Sequence, residues 1–310
     1  MSENLFKLWT TQFSTNLELK LQQKGSLLRG KVQEGFHVGK QASPTNQLGA
    51  ISLKAPAGRF APKNRTDADF TRRWVFPQDG ETDQLIDSFD ALKTIVDPKS
   101  MYVEGAANAV GRAWDDALIS AAFATSYTGQ DAAGLTQETF NTGSTVGNAG
   151  FQIVNTFGSS AASGLSVAKL IEARRTLRHY HNDFEADTLT AVIGSQQESD
   201  LFNLVQVVST EFNDRPVLTD GKLTRFLGFN IVVSERLNYD GTNRKCIVFA
   251  SSGLYLGIWK DIYNRVSIRD ELSSEPYGLY TQASYGATRT QPGKVLQILC
   301  ADSTGADITP

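Results

Sequence analysis

The residues best suited to chemistry form one short run, His179-Tyr180-His181-Asn182-Asp183. It opens like the His-x-His-x-Asp run of metallo-hydrolases, but Phe184 stands where a further histidine is needed. His37 is the one other histidine in the chain, which leaves too few imidazoles to complete a zinc site. The same run suits the polar end of a helix, where cationic side chains meet unpaired carbonyls. Cys246 and Cys300 each sit in an apolar, strand-like stretch. That suits buried, reduced and inert thiols of a cytosolic protein, and neither a nucleophile nor a disulfide framework. A phosphate loop Gly-x-x-x-x-Gly-Lys, a Gly-x-Ser-x-Gly elbow and a dinucleotide fingerprint are all missing. Asp115-Asp116 and Glu271 are available carboxylates. Adjacent acids on a helix point in different directions, so these read as solvated or paired with lysines of the N-terminal region. No catalytic, cofactor-binding or metal-binding residue is expected, and no cofactor. The alternative from the enzyme class is a soluble metal-dependent hydrolase built on His179 and His181.

With no reaction centre to position, the order of elements carries the information. Leu5, Trp9, Phe13, Leu17 and Leu21 recur every four residues and predict a short helix, ended by Gly25 and Gly30. Leu27–Val38 is partly alternating and predicts a strand. Residues 39–69 hold Pro44, Pro56 and Pro62 with little periodicity and read as a long loop. Phe70–Phe76 predicts a second strand. Two strands around a loop of this length are uncommon in a compact domain, and such loops usually have a role.

Thr82 or Asp83 then caps an expected helix over Thr82–Asp97, with Leu85, Ile86, Phe89, Leu92 and Val96 on one face. Pro98–Tyr127 predicts a long Ala-rich helix of about 40 Å. Its Ala106, Ala109, Ala113 and Ala117 fall on one face, suited to close packing. Residues 128–165 read as loop and short strands, Leu165–His181 as a helix capped by Ser166, Leu189–Ile193 as a strand and Ser195–Ser209 as a helix. Strands are expected at Phe226–Ser234, Lys245–Ala250, Leu254–Ile258, Val266–Arg269, Leu279–Gly286 and Val295–Cys300.

Net charge is −3, unevenly spread: residues 1–80 hold twelve Lys/Arg against six Asp/Glu, and the remainder eighteen against twenty-seven. A basic arm beside an acidic body points to contact with an acidic surface, its own or a neighbour's. The arm lacks the Arg-rich block and the interleaved aromatics of a nucleic-acid binder. The longest apolar runs, such as Cys246–Ala250, fall far short of a bilayer span, and the Met-Ser-Glu-Asn start lacks signal-peptide character.

This order of segments resembles the major capsid proteins of tailed double-stranded-DNA bacteriophages, the Hong Kong 97-like capsid fold. The run Leu223-Thr224-Arg225-Phe226-Leu227-Gly228-Phe229-Asn230-Ile231-Val232-Val233-Ser234 is similar to a strand that recurs in that family. Cys246–Trp259, ending Gly-Leu-Tyr-Leu-Gly-Ile-Trp, is similar to the apolar run that follows it. The resemblance implies an α+β fold: an N-terminal arm at 1–27, an extended β-hairpin loop at 28–76, a peripheral domain at 77–164 and 262–310 with a spine helix at 98–127, and an axial domain at 165–261.

The function it implies is mechanical. Copies assemble through pentamers and hexamers into an icosahedral shell that encloses packaged double-stranded DNA, without sequence-specific binding and without a membrane. The virion is the implied location, with assembly in the host bacterial cytoplasm. A separate scaffolding protein, a portal protein and a decoration protein are the implied partners, since the chain starts at the arm, where many relatives carry a scaffolding region. Some relatives cross-link an extended-loop lysine to a neighbour's asparagine. Lys54 and Lys63 lie in the loop here, but no partner asparagine matches, so that chemistry is not carried over. An encapsulin-like cargo compartment is the alternative within the fold. The expected inter-subunit contacts set Lys54, Arg59, Lys63, Arg65, Arg72 and Arg73 against Asp83, Asp87 and Asp90 of a neighbour.

Overall fold

The computed structural model describes residues 22–55, 58–59, 65, 67–86, 99–129, 134–146, 150–203, 223–273 and 275–302. Their strands are, in chain order, β1 (Gln33–Phe36), β2 (Ala42–Leu48), β3 (Phe70–Val75), β4 (Gln78–Ile86), β5 (Ser126–Gly129), β6 (Thr136–Glu138) and β7 (Gln152–Ile153). The second half adds β8 (Leu189–Ile193), β9 (Arg225–Phe226), β10 (Phe229–Val233), β11 (Asn243–Ala250), β12 (Leu254–Ile268), β13 (Tyr277–Arg289) and β14 (Val295–Ala301). The helices are α1 (Lys99–Phe123), α2 (Val167–His179) and α3 (Ser195–Phe202).

Three sheets organise these elements. The largest has the order β7-β14-β11-β8-β10-β9. Its central strands read as continuous apolar runs because both faces are covered: all five residues of β8 are buried, as are the last five of β11. Leu170, Ala173 and Leu177 of α2 and Leu118, Ile119 and Ala122 of α1 pack into the same core. Cys246 and Cys300 are buried within it, on neighbouring strands that pair Arg244 with Cys300 and Cys246 with Ile298. The hydrogen bond with Cys300, and then burial, push the Cys246 thiol up, away from the reactive thiolate.

The second sheet, β1-β12-β13-β4, is a long ribbon. Strands β12 and β13 pair along 15 and 13 residues, with bulges around Lys260. Helix α1 crosses this ribbon, with Val110 and Trp114 against Ala283, Ile262 and Tyr285. The third sheet, β2-β3-β5-β6, joins the hairpin to the chain leaving α1.

Several expectations change against this frame. The partner of β3 is Ala42–Leu48, inside the stretch read as loop. The earlier strand, Gln33–Phe36, runs parallel to β12 in the ribbon instead. Pro44 hid this strand from sequence; it sits where the β2–β3 register shifts, a position that dispenses with a ladder N–H. Residues 82–86 are extended rather than helical, because β4 pairs with β13 from Gln78 to Ile86. Helical spacing lost there to a long tertiary partner. Residues 87–97 of that expected helix lie outside the described residues, as do Pro98 of the next and the expected helix over Leu5–Leu21. Helix α1 ends at Phe123, and Ser126–Tyr127 begin β5.

The buried face of α1 also differs. It is Ala106, Asn108, Val110, Gly111, Trp114, Asp115, Leu118, Ile119 and Ala122; of the four expected alanines Ala106 is buried, whereas Ala109, Ala113 and Ala117 are only half-buried. The segments expected as two strands, Leu254–Ile258 and Val266–Arg269, are one strand. Finally, Val295–Ala301 pairs with β11 in the six-stranded sheet, not with the ribbon that the chain forms just before it. Its alternate side chains are apolar on both faces, and only the doubly covered sheet buries both.

Candidate assembly surfaces

Helix α1 presents Asp115 inward, with no side-chain exposure. Its carboxylate accepts from the Ser26 hydroxyl, from the Gln23 side chain and from the backbone N–H groups of Leu27 (2.9 Å) and Leu28 (3.2 Å). A buried carboxylate is tolerated when donors surround it, and here they come from the N-terminal segment. Gly111 makes room: a Cβ there would stand 2.5 Å from the Gly25 carbonyl carbon. Arg29 closes the arrangement by lying over the Trp114 ring at 4.4 Å and pairing with Asp261 at 3.2 Å. The neighbouring Asp116 faces the other way and binds Arg236 at 2.6 Å. The expected solvation or pairing with N-terminal lysines therefore gives way to a buried anchor, held by the N-terminal segment but, among the described residues, by no lysine, and an ion pair. Asp115 could not be recognised from sequence, because its donors lie about ninety residues away and half of them are main-chain groups.

The hairpin of β2 and β3 is fastened at its root. The Trp259 indole donates to the Gly39 carbonyl at 2.7 Å, and His37 shares a 2.7 Å hydrogen bond with the Tyr255 hydroxyl. Burial lowers the His37 pKa below the usual imidazole value. The Trp74 indole donates to Gly129 and Phe76 meets Tyr127 edge to face, while farther out, near the end of β2, the Gln47 amide donates to Thr290. Beyond the root the character reverses. Gly49 N–H donates to Asp69 at 2.7 Å, which closes the strand pair. Around and past that point Leu48, Ile51, Leu53 and Phe70 are all exposed, Leu53 completely. Exposed apolar side chains grouped in this way mark a binding surface more often than scattered ones do.

The expected contact residues divide. Lys54, Arg59, Arg65 and Arg72 are exposed on or beside the hairpin. Arg73 is not: it is turned into its own subunit, where its guanidinium pairs with Glu138 and donates to Ser126. Alternation along β3 accounts for this, since Arg72 and Arg73 must face opposite ways. Asp83 is exposed on β4 and already holds Arg269 of its own chain at 3.3 Å. Lys63, Asp87 and Asp90 lie outside the described residues.

The His179–Asp183 run closes α2. His179 and His181 are exposed, His181 with φ of 57°, and the Asn182 side chain donates to the carbonyls of Leu177 (2.8 Å) and Gly293 (2.9 Å). This is a helix C-terminus whose unpaired carbonyls are satisfied by a side chain. Among the described residues no group of three or more His, Cys, Asp or Glu is disposed to hold a metal ion.

Residues 7–302 match the sequence model of the phage capsid protein family. The chain belongs to that family. Its fold is similar to that of the capsid of cyanophage P-SCSP1u, with a TM-score of 0.74 at 15% identity over 98% of this chain and 97% of that one. The capsid of a native GTA particle gives 0.69 at 12% identity, covering 96% of each chain. Mycobacterium phage Che8 gives 0.65 at 14% identity, over 96% of this chain and 98% of that one. No curated protein matches the sequence. The capsid protein described here is thus a structural protein of the tailed-phage major capsid fold, not an enzyme, and self-association into the shell of the virion is what its family does.

Proposed function

We propose that copies of this capsid protein form pentamers and hexamers that close into an icosahedral shell around packaged double-stranded DNA, each hairpin lying over the next subunit. The observation that carries this reading is the reversal along the hairpin. Its root is fastened to the body by side-chain hydrogen bonds, while Leu48, Ile51, Leu53 and Phe70 stay exposed in their own subunit. Heterologous contacts that close on themselves give such rings and shells. The cations Lys54, Arg59, Lys63, Arg65 and Arg72 then face Asp83, Asp87 and Asp90 of a neighbouring copy. At Asp83 the hairpin competes with Arg269. Each exposed pair contributes only about 0–1 kcal/mol, and repetition around a shell multiplies it. A scaffolding protein, a portal protein and a decoration protein complete the assembly, which takes place in the host cytoplasm, and the DNA is held without sequence-specific contacts.

Negative-stain microscopy of the purified protein tests this: closed shells or capsomer-like rings are expected, and a stable monomer at every concentration contradicts it. The charge contribution is tested by Lys54→Glu with Arg72→Glu, which spares the inward Arg73. Assembly should fail while the melting temperature of the subunit stays unchanged; normal assembly removes the charge-guided contact.

A further inference from the structure

Five elements meet at one buried polar junction, and its charges do not balance. Arg289, at the end of β13, has no exposed surface. It donates to the carbonyls of Ala122 (2.8 Å) and Ala124 (3.1 Å), which end α1, to the Glu138 carbonyl (3.3 Å) on β6 and to the Ser126 hydroxyl on β5, and it lies over the Phe140 ring at 5.2 Å. Arg73 on β3 enters the same junction, buried, and its partners among the described residues are the Glu138 carboxylate and the Ser126 hydroxyl. Two guanidiniums thus lie beside one carboxylate, and only Arg73 bonds it. Burial first, and then the neighbouring Arg73, draw the Arg289 pKa down to about 10. The Nε–H groups of both arginines are buried without a partner among the described residues. An under-neutralised and under-bonded interior site is costly, and such sites persist where they do something.

We propose that Glu138 is the latch that fixes the pose of the hairpin on the body. The two arginines are unequal. Arg289 is held by three carbonyls and a ring that belong to the body, and it stays put if the carboxylate is neutralised. Arg73 would keep only a hydroxyl beside a second buried cation. It would leave for solvent and carry β3, and β2 with it, out of register with β5. The hairpin's pose therefore depends on one carboxylate 32% exposed at its side chain, while its local strand pairing does not. Glu138 and Arg73 act as positioning residues for the assembly contact. This rests on the reading of the hairpin as an inter-subunit element.

The test compares Glu138→Gln and Glu138→Asp with the native chain by hydrogen–deuterium exchange of the unassembled subunit, followed by assembly. In Glu138→Gln the amides of β3 that pair with β5 should exchange at least about tenfold faster, with β8, β11 and β14 as protected as before. Shells should fail to close, and Glu138→Asp should restore both properties in part. Unchanged exchange at β3 overturns the latch, and so does faster exchange throughout the six-stranded sheet, which would make Glu138 a general stabiliser. If the native protein itself forms no shells, the proposed function fails, while the exchange comparison still decides the latch.

Discussion

Strands β8 and β11 and the hairpin strands β2 and β3 all carry large apolar side chains, yet they stand in opposite conditions. Leu189, Val192, Ile193, Ile247 and Phe249 are covered by their own chain. Leu48 and Phe70 end a strand pair with their side chains in solvent, and Ile51 and Leu53 follow the same way. The first set is used up by folding and determines whether the subunit exists. The second is left over by folding and is available to another molecule. A subunit built this way separates stability from assembly. Substitutions in the first region should change both, and substitutions in the second only the latter.

The comparison is broken most severely from the core side. Phe249→Ala removes a fully buried ring between covered faces and should cost about 3–5 kcal/mol. Urea unfolding should show the loss, with soluble yield falling in parallel; a loss below about 1 kcal/mol would mean the six-stranded sheet is not the folding core. Next comes the arm anchor. Asp115→Asn keeps the shape but removes the charge that four groups of residues 23–28 donate to, at a cost of about 1.5–3 kcal/mol. The same denaturation measures it, and limited proteolysis should cut sooner near Gly25. Third, Ala122→Leu overpacks a position with no exposed surface and should cost about 1–3 kcal/mol. The half-buried Ala113→Leu should stay within about 0.5 kcal/mol. Equal melting temperatures for the two would erase the distinction between the inner and outer faces of α1.

The smallest effect is the pH dependence at the hairpin root. Burial lowers the His37 pKa in the folded chain below its value of 6.5 in the unfolded one. Just below 6.5 the unfolded chain binds more protons, so stability is lost as pH falls through that window and regained as it rises. His37→Gln, which can still bond Tyr255, should flatten this slope in melting curves recorded across the window. An unaltered slope would place the titrating group elsewhere.

Legibility in the sequence follows the same divide. Strand β8 was readable to the residue, because a short apolar run bounded by Asp187-Thr188 and Gly194 has one sensible burial. Helix α2 was readable for a local reason as well: the Ser166 side chain accepts from Lys169 N–H, as its spacing suggested. What depends on distant partners was not readable. The β4 strand carried helical spacing, and only its pairing with β13 makes it extended. Lys169 resembles an ordinary surface lysine of a helix, yet its ammonium is buried and donates to Ser163, Gly164 and Leu299 carbonyls. By sequence alone the hairpin's cations form one set. Strand alternation turns Arg73 inward and Arg72 outward, a division that depended on knowing the register. Glu138 and Arg289 carried no signal, since their roles arise where β3, β5, β6, β13 and the end of α1 converge.

The separation of folding from assembly is tested most directly by removing residues 50–68 and joining Gly49 to Asp69, which already touch through a 2.7 Å hydrogen bond. The shortened chain would be followed by urea denaturation and by sedimentation beside the intact protein. The account predicts the same unfolding midpoint for both proteins and fast-sedimenting shells or rings from the intact chain alone. Shells from the shortened chain, or its failure to fold, would contradict it.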